Sequence, residues 1–380
     1  MTSSARHLIV PCLAAAAQSF AFTNHAPLVP LMIADLGISP TEAGLLTTAA
    51  FVTAGALSVP LGGLTDRIGP KRVTALAMTL LAIATAGLAL TSSLSVMLLT
   101  RALAGVSLAT VFIAGGGYVN AWWTGERQFL AQGLHGGAVQ LGIGLGLLTL
   151  PAIGERLGWR TAIGVSAVVI VVSLVHWQAM ARPTPPAPAR APLGSVLGNA
   201  TIWRLGLVHT ATFGLAILLG TWIATYLVHE FALSLATAGV LGSVGLVIGA
   251  VGRPLGGIVV ARRYAAPRTL ILTMLGAATV GLGLLAWPAR PLALAITGIV
   301  LVGVAAAFAY APVVALAARS APDSAGAALG LISLVATPGV IIGAPLVGAL
   351  LTASGGFTVP WAVLMVIPAA TLVATTRLPR

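Results

Sequence analysis

One dense charged string, Gly62-Gly63-Leu64-Thr65-Asp66-Arg67-Ile68-Gly69-Pro70-Lys71-Arg72, interrupts two long apolar runs. A faded copy follows about half the chain later, in Pro254-Leu255-Gly256-Gly257-Ile258-Val259-Val260-Ala261-Arg262-Arg263. The Pro-Leu-Gly-Gly of 60–63 recurs at 254–257, and a second echo at nearly the same offset pairs Glu126 to Leu134 with Asp323 to Leu331. Each copy of that echo puts an acid just before a glycine-rich helix, where the helix dipole favours negative charge. Paired echoes of this kind mark a membrane protein built as two related helix bundles.

Composition supports this. Apolar residues make up 58% and charged residues 7%, against about 25% charged in an ordinary soluble chain. Crossing hydrocarbon takes roughly 20 apolar residues as helix, because lipid offers no partner to an open backbone N–H or C=O. Twelve segments qualify: 8–34, 41–65, 73–91, 95–121, 129–152, 160–181, 201–228, 234–261, 269–287, 291–318, 325–351 and 357–376. The expected fold is an all-α integral membrane protein of twelve transmembrane helices in two pseudo-symmetric six-helix bundles, residues 1–181 and 201–380. Between them, 182–200 opens Arg-Pro-Thr-Pro-Pro-Ala-Pro-Ala-Arg-Ala-Pro, whose prolines forbid a regular helix and favour an extended linker.

Charge sets the orientation. With the N-terminus in the cytosol, cytosolic segments hold Arg6, Arg67, Lys71, Arg72, Arg127, Arg182, Arg190, Arg204, Arg262, Arg263, Arg268, Arg319, Arg377 and Arg380. Outer loops hold only Arg156, Arg160 and Arg290. The bias predicts both termini inside, in a multi-pass protein of a bacterial inner membrane. It also accounts for the net charge of +12 without nucleic acid as a partner. The single cysteine, Cys12, excludes an intrachain disulfide and a Cys-based metal site. The first 22 residues share the layout of a signal peptide, but cleavage would leave eleven spans and break the pairing of halves.

The charged turn has its own chemistry. Asp66 stands in a basic loop where it can pair with Arg67, Lys71 or Arg72, or accept from a helix N-terminus. Gly62 and Gly69 permit close approach and a tight turn. Such a cluster suits a conformational latch between the halves; the plainer reading is a solvated turn obeying the positive-inside rule. In the second half Val260 replaces the acid, so the latch would be asymmetric.

All seven acids, Asp35, Glu42, Asp66, Glu126, Glu155, Glu230 and Asp323, fall at loops or helix ends. Two arginines do not. Arg253 lies nine residues from Arg262, roughly 13 Å of helix and near mid-membrane. Arg101 lies roughly 9 Å below the outer surface. A buried charge is costly and in transporters usually marks the path. With no deep acid, these arginines are best satisfied by an anionic substrate, by carbonyls or by water. Further cavity candidates are Gln18, Asn24 and His25 on the first helix, His135 and Gln140 on the fifth, His209 and Tyr226 on the seventh, and Tyr310 on the tenth. Trp222 and Tyr226 also fit an interfacial aromatic belt. No P-loop, metal spacing or nucleophile triad is present, so neither catalysis, ATP-driven transport nor a cofactor is expected.

Gly62-x-Leu64-x-Asp66-Arg67-x-Gly69-x-Lys71-Arg72 resembles the signature between helices 2 and 3 of the major facilitator superfamily, with Pro70 where a basic residue is usual. Arg101-Ala102-Leu103-Ala104-Gly105 resembles the family's Arg-x-x-x-Gly pattern in helix 4, and Gly158-Trp159-Arg160 is also similar. The family's antiporter pattern has a Gly-Pro pair in helix 5; Gly142-Ile143-Gly144-Leu145-Gly146 lacks the proline. Arg253-Pro254-Leu255-Gly256-Gly257 resembles helix 8 of the nitrate/nitrite and related anion porters. Those porters also bind the anion with a helix 2 arginine, and the aligned position here is Ser58. The resemblance implies a monomeric secondary transporter of a small anion, inorganic or carboxylate, working by alternating access. Competing expectations are efflux of lipophilic or cationic compounds and a non-transporting sensor of the same fold.

Overall fold

The computed structural model describes residues 3–123, 126–184, 194–321 and 325–375. Within them, the side chains of 3–5, Val59, Asp66, 126–129, 194–195, Ala261, Ala318 and 325–327 lie outside the described set. The described residues form helices joined by short turns, with no strand among them.

The first helix is broken. α1 (Ser3–Phe22) stops at Thr23 to His25, and a 3-10 turn (Ala26–Leu28) leads into α2 (Val29–Leu36). Pro27 and Pro30 withhold two backbone donors here. α3 (Pro40–Ile68) starts from a capping box: the Glu42 N–H donates to Ser39 Oγ at 3.2 Å, and the Ser39 N–H donates to Glu42 Oε2 at 2.7 Å. α4 (Pro70–Leu90) follows, then α5 (Leu94–Thr110), a π-helical turn (Val111–Gly115) and α6 (Gly116–Trp122) in one line. α7 (Glu126–Leu157) and α8 (Trp159–Met180) complete this part. After the short α9 (Gly194–Leu197), α10 (Ala200–His209), a second π turn (Thr210–Gly214) and α11 (Leu215–Phe231) form one long helix. α12 (Leu235–Ala261), α13 (Pro267–Ala286), α14 (Leu292–Ser320), α15 (Ala325–Ser354) and α16 (Thr358–Thr375) end the chain.

Among the described residues, 10 helical stretches are long and apolar enough to cross a membrane. Their outward faces are greasy: Ile83, Leu99, Val172, Val175 and Val373 are exposed, as suits hydrocarbon rather than water. Inside, α7 packs along α12 and α3 along α15. Glycine permits both seams. A Cβ on Gly137 would collide with the Ala250 carbonyl, and one on Gly44 with the backbone of Ala344 and Pro345.

The bundle has two unlike ends. Arg67, Lys71, Arg72, Arg182, Arg262 and Arg263 cluster at the turns of one, here the basic end. Asp35, Glu155, Arg160, Glu230 and Arg290 occupy the far end. There α11 packs against the 3-10 turn and α2, and Glu155 on α7 accepts a hydrogen bond from the Leu235 N–H that opens α12. Trp222 and Tyr226 do not form an interfacial belt. Both are fully buried, packed against Phe357, with Trp361 beside Tyr226.

Candidate substrate-binding site

Arg253 sits on α12 immediately before Pro254 and is 3% exposed. Its Nη1 donates to the Gly136 carbonyl of α7 at 2.8 Å, and its Nη2 donates to Gln140 Oε1 at 3.2 Å. The guanidinium lies over the Tyr310 ring, 4.4 Å from the centroid. Among the described residues Nε has no partner, and no carboxylate is within ion-pair reach. The cation is therefore held by neutral oxygens and a ring face, and two of its bonds cross to α7.

His209, at the end of α10, joins this group. Its ring stacks on Phe213 at 5.0 Å and 4°, and lies 6.3 Å from the Tyr310 ring. Phe213 in turn meets Phe112. Both phenylalanines ride on π turns, a rare helical geometry enriched at functional sites.

A second polar group surrounds the break in the first helix. Arg101, 1% exposed, donates through Nη2 to the Phe22 carbonyl, which the end of α1 leaves free, and its guanidinium lies 5.4 Å from the Phe22 ring centroid. Ser107 Oγ donates to Gln18 Oε1 at 2.9 Å, and His25 Nε2 is 3.1 Å from Thr47 Oγ1. Asn24 is fully buried with neither amide atom partnered among the described residues. A cavity lined by His25, Thr47, Phe51, Ile217 and Thr221 has about 20 Å³ of free volume, room for about one or two waters.

The structure thus brings Arg253, Gln140, His209 and Tyr310 together, and separately gathers Gln18, Asn24, His25 and Arg101. His135 belongs to neither group: it is buried on another face of α7, against Gly115 of the first π turn. Tyr226 is at the far end, where its hydroxyl accepts from Arg290 Nε at 2.7 Å. Ser58 donates to the Ala54 carbonyl of its own helix. Sequence reasoning missed the two π turns with Phe112 and Phe213, and nothing but the glycine run at 115–117 hints at them.

In the charged turn, Gly62 is buried in α3 and Gly69 adopts φ +87°, a conformation that favours glycine. Arg67 and Arg72 are exposed. Lys71 is tied to α8: its Nζ donates to the Gln178 carbonyl at 3.3 Å, and its own carbonyl accepts from Trp177 Nε1 at 3.0 Å. The Asp66 side chain lies outside the described residues, as do the side chains of Glu126 and Arg127, Asp323, and 185–193 of the linker. At the far end, Arg160 Nη1 and Trp159 Nε1 donate to Asp35 Oδ2 at 2.5 and 2.9 Å. These bonds hold the Asp35 carboxyl below its ordinary range.

Membrane-length helices packed around a buried arginine with no carboxylate form the architecture of a membrane transporter. A profile of the Major Facilitator Superfamily matches residues 12–344, and the chain belongs to that family. It is a multi-pass membrane transporter and not an enzyme. A probable nitrate transporter, NarT, of Staphylococcus haemolyticus is 23% identical over 317 residues, covering 81% of this chain and 80% of that protein. A nitrite extrusion protein of Bacillus subtilis is 23% identical over 233 residues, 60% of this chain and 58% of its own. Among solved structures, the nucleoside transporter NupG superposes with TM-score 0.80 at 14% identity, covering 97% of this chain and 99% of that one. A bacterial homologue of the human lysosomal transporter Spinster, in an inward-facing and occupied conformation, gives 0.75 at 17%, covering 97% and 96%.

Proposed function

We propose that this transporter moves a small anion, an inorganic oxyanion or a carboxylate, and that Arg253 is its principal contact. The observation that carries the reading is the buried Arg253 guanidinium, held among the described residues by the Gly136 carbonyl, Gln140 and the Tyr310 face. A planar donor fork of this kind matches the edge of a nitrate or carboxylate group. An anion there gains charge-assisted bonds and relieves an uncompensated cation. The relatives named as nitrate and nitrite transporters favour the same class. Ser58 stands where the resemblance to anion porters implies a second arginine, so the site we propose has one arginine.

The transport cycle we propose is alternating access of two six-helix units, 1–181 and 201–380, joined by the 182–200 linker. α1–α2 and α3 add two crossings to the ten apolar ones, giving twelve with both termini in the cytosol. The turn carrying Asp66, Arg67, Lys71 and Arg72 acts as the latch on the basic side. Purified protein in liposomes tests the reading: nitrate, nitrite and acetate are offered beside a lipophilic cation. Saturable uptake of an anion, lost in Arg253→Ala, is expected. Uptake of the cation alone would transfer the protein to the efflux class.

A further inference from the structure

Resting on the reading of Arg253 as the anion's contact, we propose that His209 is the proton site of this transporter, so that an anion occupies the Arg253 site together with one proton. Six histidines are available, and the structure separates them. His7 stacks on Trp122 at the basic end, and His229 is exposed beside Glu230 at the far end. His25 is bonded to Thr47, and His135 faces Gly115. His176 lies on α8, near the basic end. Among the described residues His209 is the histidine whose ring shares a neighbour with Arg253: the Tyr310 ring carries the Arg253 guanidinium at 4.4 Å and stands 6.3 Å from the imidazole.

Both groups pack beside the Tyr310 ring. Around His209, α12 presents Arg253 and α14 presents Tyr310, while the π turn presents Phe213. Among the described residues no carboxylate faces it from α12, α14, α15 or α16. His209 is 6% exposed, and its Nδ1 has no protein partner among them. In the empty site a proton on His209 would add a second cation beside Arg253, with nothing to offset the repulsion. An anion bound beside both is attracted to each and offsets the charge that the proton adds. Anion and proton therefore bind cooperatively, and linkage makes the effect reciprocal: each raises the affinity of the other by the same factor. The imidazolium keeps its seat, because the Phe213 face that stacks on the neutral ring also attracts a cation. Proton and anion enter from one side and leave on the other, and the pair carries no net charge across the membrane.

The test is binding of nitrate, nitrite and acetate to the purified full-length protein by calorimetry, from about pH 5.5 to 8.5, spanning the histidine range. Running each titration in two buffers of different ionisation enthalpy counts the protons taken up. For the wild type, affinity should rise as pH falls, approaching about tenfold per pH unit for a one-proton coupling, with proton uptake on binding. His209→Gln should bind with a flat pH profile and no proton uptake. His229→Gln should keep the wild-type slope. Arg253→Ala should lose binding at every pH. A wild-type or His209→Gln slope that contradicts these expectations overturns the proton site while leaving Arg253 in place. Unimpaired binding in Arg253→Ala, or no binding of any of the three anions by the wild type, overturns both.

Discussion

Phe112 and Phe213 meet edge to face, ring centroids 6.2 Å apart at 88°, each on a π-helical turn. One comes from the line of helices containing α5 and α6, the other from the line containing α10 and α11. The π turn is what lets each ring stand out from its helix. The small cavity lined by His25 and Thr221 lies on the side of this pair away from the basic end, and His209 stacks on its other member. We expect the two rings to act as a barrier between the cavity and the basic end.

Removing either ring should open that barrier. The pair contributes about 0.5–1.5 kcal/mol beyond its buried area. In a Cys12→Ser background, a cysteine placed at Ala216, on the cavity wall, should react slowly with a small water-soluble thiol reagent. Adding Phe112→Ala should speed the reaction about twofold to twelvefold, the equivalent of that energy. An unchanged rate would mean that the rings do not bar the path.

Glu155 closes the other end. It reaches from α7 to the first backbone N–H of α12 and places a carboxylate on a helix N-terminus. Glu155→Gln keeps the acceptor but removes the charge, so the far end should open more often. Spin labels at Leu157 and Ser234 should report a larger population at long distance in the variant. An identical distance distribution would remove Glu155 from the closure.

The Asp35 contacts give a pH dependence with a definite sign. Trp159 and Arg160 lower the folded carboxyl below its reference value of 3.8. The group then stabilises the fold fully above about pH 4, and the contribution fades as pH falls through the lower folded value. The difference in melting temperature between wild type and Asp35→Asn should be constant from neutral pH to about 4 and shrink below it. It should also be small, since both partners are well exposed, with side chains 49% and 39% accessible. A difference that grows on acidification would contradict the assignment.

The helices and the two buried arginines were legible because hydrocarbon leaves a chain little choice. Long apolar runs must be helical there, and a charge inside one stands out. Which polar residues share a site was much less legible. His25, His135 and His209 look alike in sequence, yet only His209 lies beside Arg253, because helix rotation and the π turns decide which way a side chain faces. The sequence alone places Tyr226 in the cavity or at the interface. It is instead bound to Arg290, whose Nη2 pairs with Glu230 Oε2 at 2.6 Å. Glu230 lies in the last turn of α11 and Arg290 in the turn before α14, and no local pattern announces that pair. The loss of Asp66's counterpart at Val260 was readable directly, as was the placement of Gly69, since a left-handed turn favours glycine.

We propose that Arg253 recognises a planar oxyanion through its donor fork. Nitrate titrated into wild type and Arg253→Lys at one fixed pH tests it most directly. Lysine keeps the positive charge but loses the paired N–H geometry. The expected result is a loss of at least about tenfold in affinity, or about 1.4 kcal/mol, with the fold and melting temperature of the empty protein preserved. Equal nitrate affinity in the two proteins would show that Arg253 supplies charge or structure alone, and the account of the site would fail.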